Sequence, residues 1–351
     1  MKHWGMWNER ASRIKRSVIT LIMLVLLCCS SVNAAQVYGS LEQPQENEEW
    51  AQIDAADWMG QIADDAYLST INIPGTHDST TEYAKLSFFS KTQITNVAEQ
   101  LQNGYRYMDI RLECDGDRMK LVHGFVECKE GGSLTDGPLY LDVVLSQCET
   151  FLQEHPTETI IFCVKKDHGE ESDGEFQKLL YTYIEQNPKL WYLQNTNPQL
   201  ADVRGKIILA RRYEDANEYG DEKNGLALFW EEQSNTDVTE LPYTESTMAD
   251  NLTLKVQDRY CYGTEDKWDA IQTFLDYEPE QGDNATDSIQ INFTSTKGTM
   301  AFGHPVKYAK TINKRFLNAE LTKGKNYGWI IMDYGTEKLA RHVFELNEKK
   351  Q

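Results

Sequence analysis

Two histidines and a series of charged side chains follow directly on short apolar runs in this 351-residue chain. Pro74-Gly75-Thr76-His77-Asp78-Ser79 comes after one such run, Tyr107-Met108-Asp109-Ile110-Arg111 completes a second and Val122-His123-Gly124 a third. Val164-Lys165-Lys166, Arg211-Arg212-Tyr213, Val256-Gln257-Asp258-Arg259-Tyr260 and Met332-Asp333-Tyr334 end four more. Imidazole titrates near neutral pH, so two histidines can serve as base and acid within one turnover. A planar guanidinium suits a non-bridging phosphate oxygen. The set therefore fits a phosphate diester: one histidine takes the proton of an attacking hydroxyl, the other protonates the leaving oxygen, and Arg111 meets the charge. Singly, each residue has a plainer reading: a structural histidine, an Arg111–Asp109 pair, Asp333 as the cap of a final helix. Their joint placement at strand ends favours one shared site, because polar groups gathered there are costly unless they meet one another or a ligand.

Other chemistries lack their motifs. There is no G-x-S-x-G nucleophile elbow, no H-E-x-x-H and no G-x-x-x-x-G-K-[ST] loop. No C-x-x-C pair occurs, so a structural zinc site is not expected. Of the remaining histidines, His155 reads as an exposed helix end, His304 as a loop residue between Gly303 and Pro305, and His168 and His342 as solvated.

The elements that must position the candidate residues alternate. Eight strands are expected: 70–73, 107–111, 120–123, 159–165, 206–212, 254–257, 289–293 and 328–333. Helices are expected over 92–102, 140–154, 174–186, 266–275, 306–317 and 337–348. Leu141, Val144, Leu145, Cys148 and Leu152 show the helical spacing. The alternation predicts an α/β fold, a TIM-like (β/α)8 barrel. Only residues 112–119 separate the second and third strands, too few for a helical crossover. The barrel should therefore be distorted, with one or more crossovers missing. Barrel enzymes carry their reactive groups at the C-terminal strand ends, which is where the charged residues fall. The acidic stretch 277–287 reads as a solvated loop.

Residues 1–34 have a basic start, an apolar run from Val18 to Cys29 and Val32-Asn33-Ala34, the pattern of a cleaved secretory signal. Cleavage near Ala34 and a secreted, extracellular location are expected. Residues 35–65 read as an N-terminal lead-in whose Trp50 and Trp58 pack on the barrel, and 66–351 as the catalytic barrel itself. The mature chain would carry 30 basic against 54 acidic residues, a net charge near −24. Such a field repels nucleic acid and anionic bilayers. Five cysteines would remain, an odd number, with Cys163 a buried thiol and a Cys114–Cys128 disulfide conceivable.

Pro74-Gly75-Thr76-His77-Asp78-Ser79, Asp109-Ile110-Arg111 and His123-Gly124 resemble the X-domain of bacterial phosphatidylinositol-specific phospholipase C. The likeness continues through Pro156-Thr157-Glu158, Gly205-Lys206-Ile207, Val256-Gln257-Asp258, Ile291-Asn292-Phe293-Thr294 and Gly328-Trp329-Ile330-Ile331-Met332-Asp333-Tyr334. The resemblance implies a distorted TIM barrel acting on phosphatidylinositol at a membrane surface by peripheral contact, as a monomer. It implies that His77 is the base for the inositol 2-hydroxyl, oriented by Asp333, and His123 the acid for the diacylglycerol oxygen, paired with Asp78. Arg111 would bind the phosphate with Asp109 in support. The products would be diacylglycerol and inositol 1,2-cyclic phosphate. Lys165, Arg212 and Asp258 match positions that hold inositol hydroxyls, and Tyr260 the ring beneath the sugar; a one-residue shift would exchange Lys165 with Lys166 or Arg212 with Arg211. Calcium-dependent relatives put acidic ligands where Arg111 stands, so no metal or other cofactor is implied. Phe88-Phe89 and Met300-Ala301-Phe302 fall where the family places apolar membrane-contacting loops. Two other readings stay open: an inactive X-domain that only binds inositol phosphates or glycans, and a glycerophosphodiesterase, which would need a metal and glutamates.

Overall fold

A computed structural model describes residues 49–85, 87–133, 135–216, 223–279, 284–299 and 303–350. The expected signal at 1–34, the start of the lead-in, residues 280–283 of the acidic stretch and Met300-Ala301-Phe302 lie outside these residues.

The backbone of the fold is a run of parallel strands, β1 (Ile73–Thr76), β2 (Tyr107–Asp115), β5 (Ile160–Lys166), β7 (Ile207–Arg212), β10 (Thr253–Gln257), β11 (Ser288–Phe293) and β12 (Trp329–Met332). Their order is β7-β5-β2-β1-β12-β11-β10, with β1 between β2 and β12, so the first and last staves are neighbours. The apolar stretches Ile160–Val164 and Ile207–Ala210 are wholly buried, as parallel strands covered on both faces require. Helices α1 (Val97–Gln102), α2 (Leu141–Glu154), α3 (Asp173–Ile184), α4 (Thr264–Leu275), α5 (Pro305–Leu317) and α6 (Glu337–Phe344) punctuate the strands. The architecture is the expected α/β, TIM-like barrel.

Several expectations shift. The first strand begins at Ile73, not Thr70, because Leu68–Thr70 winds into a 3-10 turn that carries the chain to the sheet. Gly75 is needed in β1: a Cβ there would lie 2.5 Å from Ile331 Cδ1 and 2.7 Å from Tyr107 Cβ. Helix α1 starts at Val97 rather than Thr92, since Asn96 and Glu99 form a reciprocal capping box. Thr92 and Gln93 instead spend their polar groups on the site described below. The final helix stops at Phe344.

The third expected strand is not a stave. β3 (Arg118–His123) folds back antiparallel on β2, and β4 (Val126–Glu127) continues the hairpin. A two-residue link permits only that geometry. Two short strands, β6 (Trp191–Tyr192) and β8 (Leu226–Ala227), share the outer edge of β7 at successive registers. At the other end β9 (Thr244–Thr247) pairs antiparallel with β10. Among the described residues no hydrogen-bonded pairing joins β7 or β8 to β9 or β10, and no α-helix lies between β7 and β10. The crossover is missing there, and the barrel is open along that seam.

At the N-terminal ends of the strands, Trp50 and Trp58 are fully buried, and Trp58 stacks on Phe344 with centroids 5.2 Å apart. A wholly buried pair fastens this lead-in: Arg106 Nε and Nη2 lie 2.9 and 2.7 Å from Glu158 Oε2. Glu158 also accepts from the amides of Met59 and Gly60, and Arg106 donates to the carbonyl of Ala56. The five cysteines among the described residues are free thiols, so Cys114 and Cys128 are not bridged; Cys128 is buried and takes a contact from the Thr80 hydroxyl. His155 is not an exposed helix end: its Nδ1 lies 2.8 Å from Asp57 Oδ1, and its ring packs on Phe151. His342 is not freely solvated either: its Nε2 is buried and its ring meets Phe316 edge-on. His168 is exposed, as expected.

Candidate active site

The turn after β1 places two groups at once. The amide of Ser79 donates to Asp109 O at 2.9 Å, and that of Asp78 to Asp109 Oδ2 at 3.1 Å. The Thr92 hydroxyl and the Gln93 amide both donate to the carbonyl of His77. These bonds hold Asp78 in the left-handed region, with φ +44°. An aspartate tolerates that conformation better than most residues, and such strain persists only where surroundings over-determine it.

His77 Nδ1 lies 2.8 Å from Asp333 Oδ1 at the end of β12. Its Nε2 faces inward, 3.0 Å from Arg111 Nη2 and 3.2 Å from Asp78 Oδ2. His123, on the β3 hairpin, puts Nε2 3.2 Å from the same Asp78 Oδ2. Its Nδ1 lies 2.7 Å from the carbonyl of Ser90 and so carries the hydrogen, because a carbonyl only accepts. Each histidine is thus oriented through Nδ1 and leaves Nε2 for chemistry, and the two rings stand 6.4 Å apart.

Arg111 crosses between them. Its Nε pairs with Asp78 Oδ1, Nη2 lies 3.3 Å from Asp109 Oδ2 and Nη1 3.6 Å from Asp167 Oδ2. The donor atoms of His77, Asp78 and Asp109 lie within 4.8 Å of one another, close enough to share a cation. The Arg111 guanidinium already contacts all three, so a metal ion there would have to displace it or endure its repulsion.

The electrostatics follow. Burial alone would lower the pKa of His77, but Asp78 and Asp333 overcome it and raise it to about 9, with Arg111 opposing. Arg111 Nη2 can only donate, so it bonds Nε2 when that atom is unprotonated, whereas Asp78 Oδ2 at 3.2 Å accepts from Nε2 when it carries the proton. A base must begin unprotonated; the two carboxylates favour the imidazolium it becomes. Burial works against ionisation of Asp109, yet Arg111 and His77 hold it well below the usual carboxylate range. Burial raises Asp333, partly offset by His77.

A cavity of about 580 Å³ opens over this cluster, lined by His77, His123, Arg111, Asp333, Lys165, Arg212, Asp258 and Tyr260 among others. Asp78 and Asp109 lie buried beneath it. The cavity thus brings together His77, Arg111, His123, Lys165, Arg212, Asp258, Tyr260 and Asp333 from separate elements. It also separates neighbours: Lys166 turns outward to Asp173 at 2.9 Å, and Arg211 is buried, donating to the Asn224 carbonyl. Hollows of about 590 Å³ beside Trp191 and 820 Å³ between α4 and α5 hold no histidine, so size alone does not mark the site.

Some residues of the site escaped sequence reasoning. Asp167 reaches Arg111 and takes the Gly124 amide at 3.0 Å; it stands one residue past β5 and the strand-end rule could have found it. Trp230 lies under Arg212, 3.7 Å from guanidinium carbon to ring centroid, and its Nε1 donates to Asp258 Oδ2 at 3.4 Å. Glu232 accepts from the Tyr260 hydroxyl at 2.6 Å. Both come from the irregular segment at the open seam, where no periodicity announces them. Around the mouth, Phe88 is 37% and Phe125 64% exposed. Phe89 bridges them, 4.6 Å from Phe88 and 6.3 Å from Phe125 between centroids.

Known proteins share this sequence and fold. Residues 71–213 match the family described as "Phosphatidylinositol-specific phospholipase C, X domain". A 1-phosphatidylinositol phosphodiesterase of Staphylococcus aureus is 30% identical over 361 aligned positions, which cover 95% of this chain and all of that protein. The Listeria monocytogenes protein of the same name is 22% identical, covering 95% of this chain and 98% of its own. A solved structure of phosphatidylinositol-specific phospholipase C from S. aureus, titled for modulation of its membrane binding, superposes with TM-score 0.68 at 26% identity, over 84% of this chain and 98% of that one. The class is that of barrel enzymes that cleave phosphodiesters. This chain belongs to the phosphatidylinositol-specific phospholipase C family.

Proposed function

We propose that this enzyme cleaves phosphatidylinositol, without a metal ion, to diacylglycerol and inositol 1,2-cyclic phosphate. The observation that carries the reading is the single line of contacts Asp333–His77–Arg111–Asp78–His123 at the floor of one cavity. His77 Nε2 takes the proton of the inositol 2-hydroxyl, whose oxygen attacks phosphorus. His123 Nε2 gives a proton to the diacylglycerol oxygen as its bond to phosphorus breaks. Arg111 faces the non-bridging oxygens, and Asp109 and Asp167 hold it in place. Lys165, Arg212, Asp258 and Tyr260 grip the inositol ring. Fixed charges aimed at a dry, developing anion need no rearrangement during the reaction.

The enzyme acts after export and signal removal near Ala34, as a monomer that touches the bilayer with Phe88, Phe89 and Phe125. An acidic body meeting a membrane through aromatic rings favours neutral over anionic surfaces. Glycosyl-phosphatidylinositol anchors, which present the same diester, are cleaved by the same steps.

The test is turnover of phosphatidylinositol vesicles by the chain beginning at residue 35, with and without chelator. Cyclic phosphate and diacylglycerol should appear at equal rates in both, and His77→Ala should end turnover with an unchanged circular dichroism spectrum. Activity that needs added calcium would exclude the metal-free reading. Anchor cleavage is followed in parallel as release of an anchored protein.

A further inference from the structure

One charged side chain inside the barrel is unused by the proposed reaction. Lys267, on α4, is completely buried. Its ammonium group donates to Gln257 Oε1 at 2.8 Å, the one acceptor it meets among the described residues. Gln257 is the last residue of β10, immediately before Asp258. Its Oε1 also accepts the Arg259 amide at 2.9 Å, and its Nε2 donates to Asn292 Oδ1 and to the Phe293 carbonyl. The side chain of Gln257 therefore holds the amide that follows Asp258 and ties this turn to β11, whose Phe293 ring meets His77 edge-on.

A buried ammonium with one acceptor is expensive to keep charged. Burial lowers Lys267 to about 7, while Asp258 and Asp333 pull it back and Arg259 pushes it down. A purely structural position of this kind would be better filled by an apolar side chain of similar length.

We propose that Lys267 is a positioning residue, which locks Gln257 and so the backbone around Asp258 from beneath the pocket. This rests on the proposed function, in which Asp258 holds the inositol ring and Asp333 orients His77.

Lys267→Met and Lys267→Gln test the lock. Methionine keeps the volume and removes both donor and charge; glutamine keeps a donor for Gln257. For Lys267→Met, KM for phosphatidylinositol should rise about tenfold, the scale of one hydrogen bond to a charged group. Its kcat should change far less than its KM, because the lock acts on the ring-holding Asp258 and not on the histidines. Its melting temperature should hold or rise. Lys267→Gln should recover most of the KM; if Lys267→Met does not fold, Gln257→Leu, which removes the same lock, is measured in its place and should show the same rise in KM. A wild-type KM in the variant measured would overturn the inference. Asp258→Ala is the control: if it binds substrate like the wild type, the reading of Asp258 itself has failed, whereas a weakened Asp258→Ala beside an unchanged Lys267→Met refutes Lys267 alone.

Discussion

The guanidinium of Arg212 lies 3.7 Å above the ring of Trp230, across the seam where β7 and β10 do not pair. Trp230 packs on Phe293 of β11 with centroids 5.8 Å apart, and its Nε1 reaches Asp258. One aromatic side chain thus replaces a missing stave and arranges two groups that face the cavity. Trp230→Ala should raise KM for phosphatidylinositol about tenfold, the combined scale of a desolvated cation–π contact and lost packing. The same variant should lower kcat less, since the histidines lie elsewhere; steady-state kinetics separates the two effects.

Arg111 contacts Asp78, Asp109 and His77 together. Lysine keeps the charge but cannot reproduce the planar fork. Arg111→Lys should lose on the order of 10²–10³ in kcat, as removal of one oxyanion donor does elsewhere. Arg111→Ala should lose more. If the lysine variant matched the wild type, charge alone would suffice and the geometric argument would fall.

The His77 pKa of about 9 lies above the unfolded value of 6.5. The charged form is favoured in the fold, so this stabilisation is fully present below pH 6.5 and disappears as pH rises through about 9. The melting-temperature difference between wild type and His77→Asn should therefore shrink steadily from pH 6.5 to 9.5. A constant difference over that range would show that His77 is not charged in the free enzyme. In catalysis the same shift places the rise of kcat/KM with pH above the ordinary histidine range.

The pair Arg106–Glu158 is wholly buried and far from the chemistry. Glu158→Ala strands a buried guanidinium and frees the amides of Met59 and Gly60, which should cost about 3–5 kcal/mol. Denaturant melts should report the loss, while kcat per folded molecule stays at the wild-type value.

How much of this was open to the sequence follows from the range of the interactions involved. The apolar runs that become β5 and β7 are buried on both faces, and α2 repeats its contacts every turn, so local pattern sufficed for each. The candidate residues stood at expected strand ends, and a parallel barrel brings such ends to one mouth; His77 and Asp333 were legible for that reason, whereas Arg111 lies within β2 and His123 reaches the mouth on the antiparallel return arm. The order of strands alone, however, did not say that β3 is the return arm of a hairpin, or that β7 and β10 leave a seam. Those depend on which edges find partners across distances of a hundred residues. Nor could spacing choose Lys165 over Lys166 or Arg212 over Arg211, because a one-residue shift exchanges the faces of a strand. Only the packed barrel decided that, by burying Arg211 beside Asn224 and turning Lys166 outward to Asp173. Asp167, Trp230 and Glu232 joined the site from segments without periodicity, where contact is set by tertiary packing and leaves no local mark. The placement of candidate residues at strand ends was determined by the sequence by itself; the shared Asp78 between two histidines, the Arg111 clasp and the tryptophan-filled seam were decided by the tertiary structure, because each needs groups from separate elements to meet within a few ångströms.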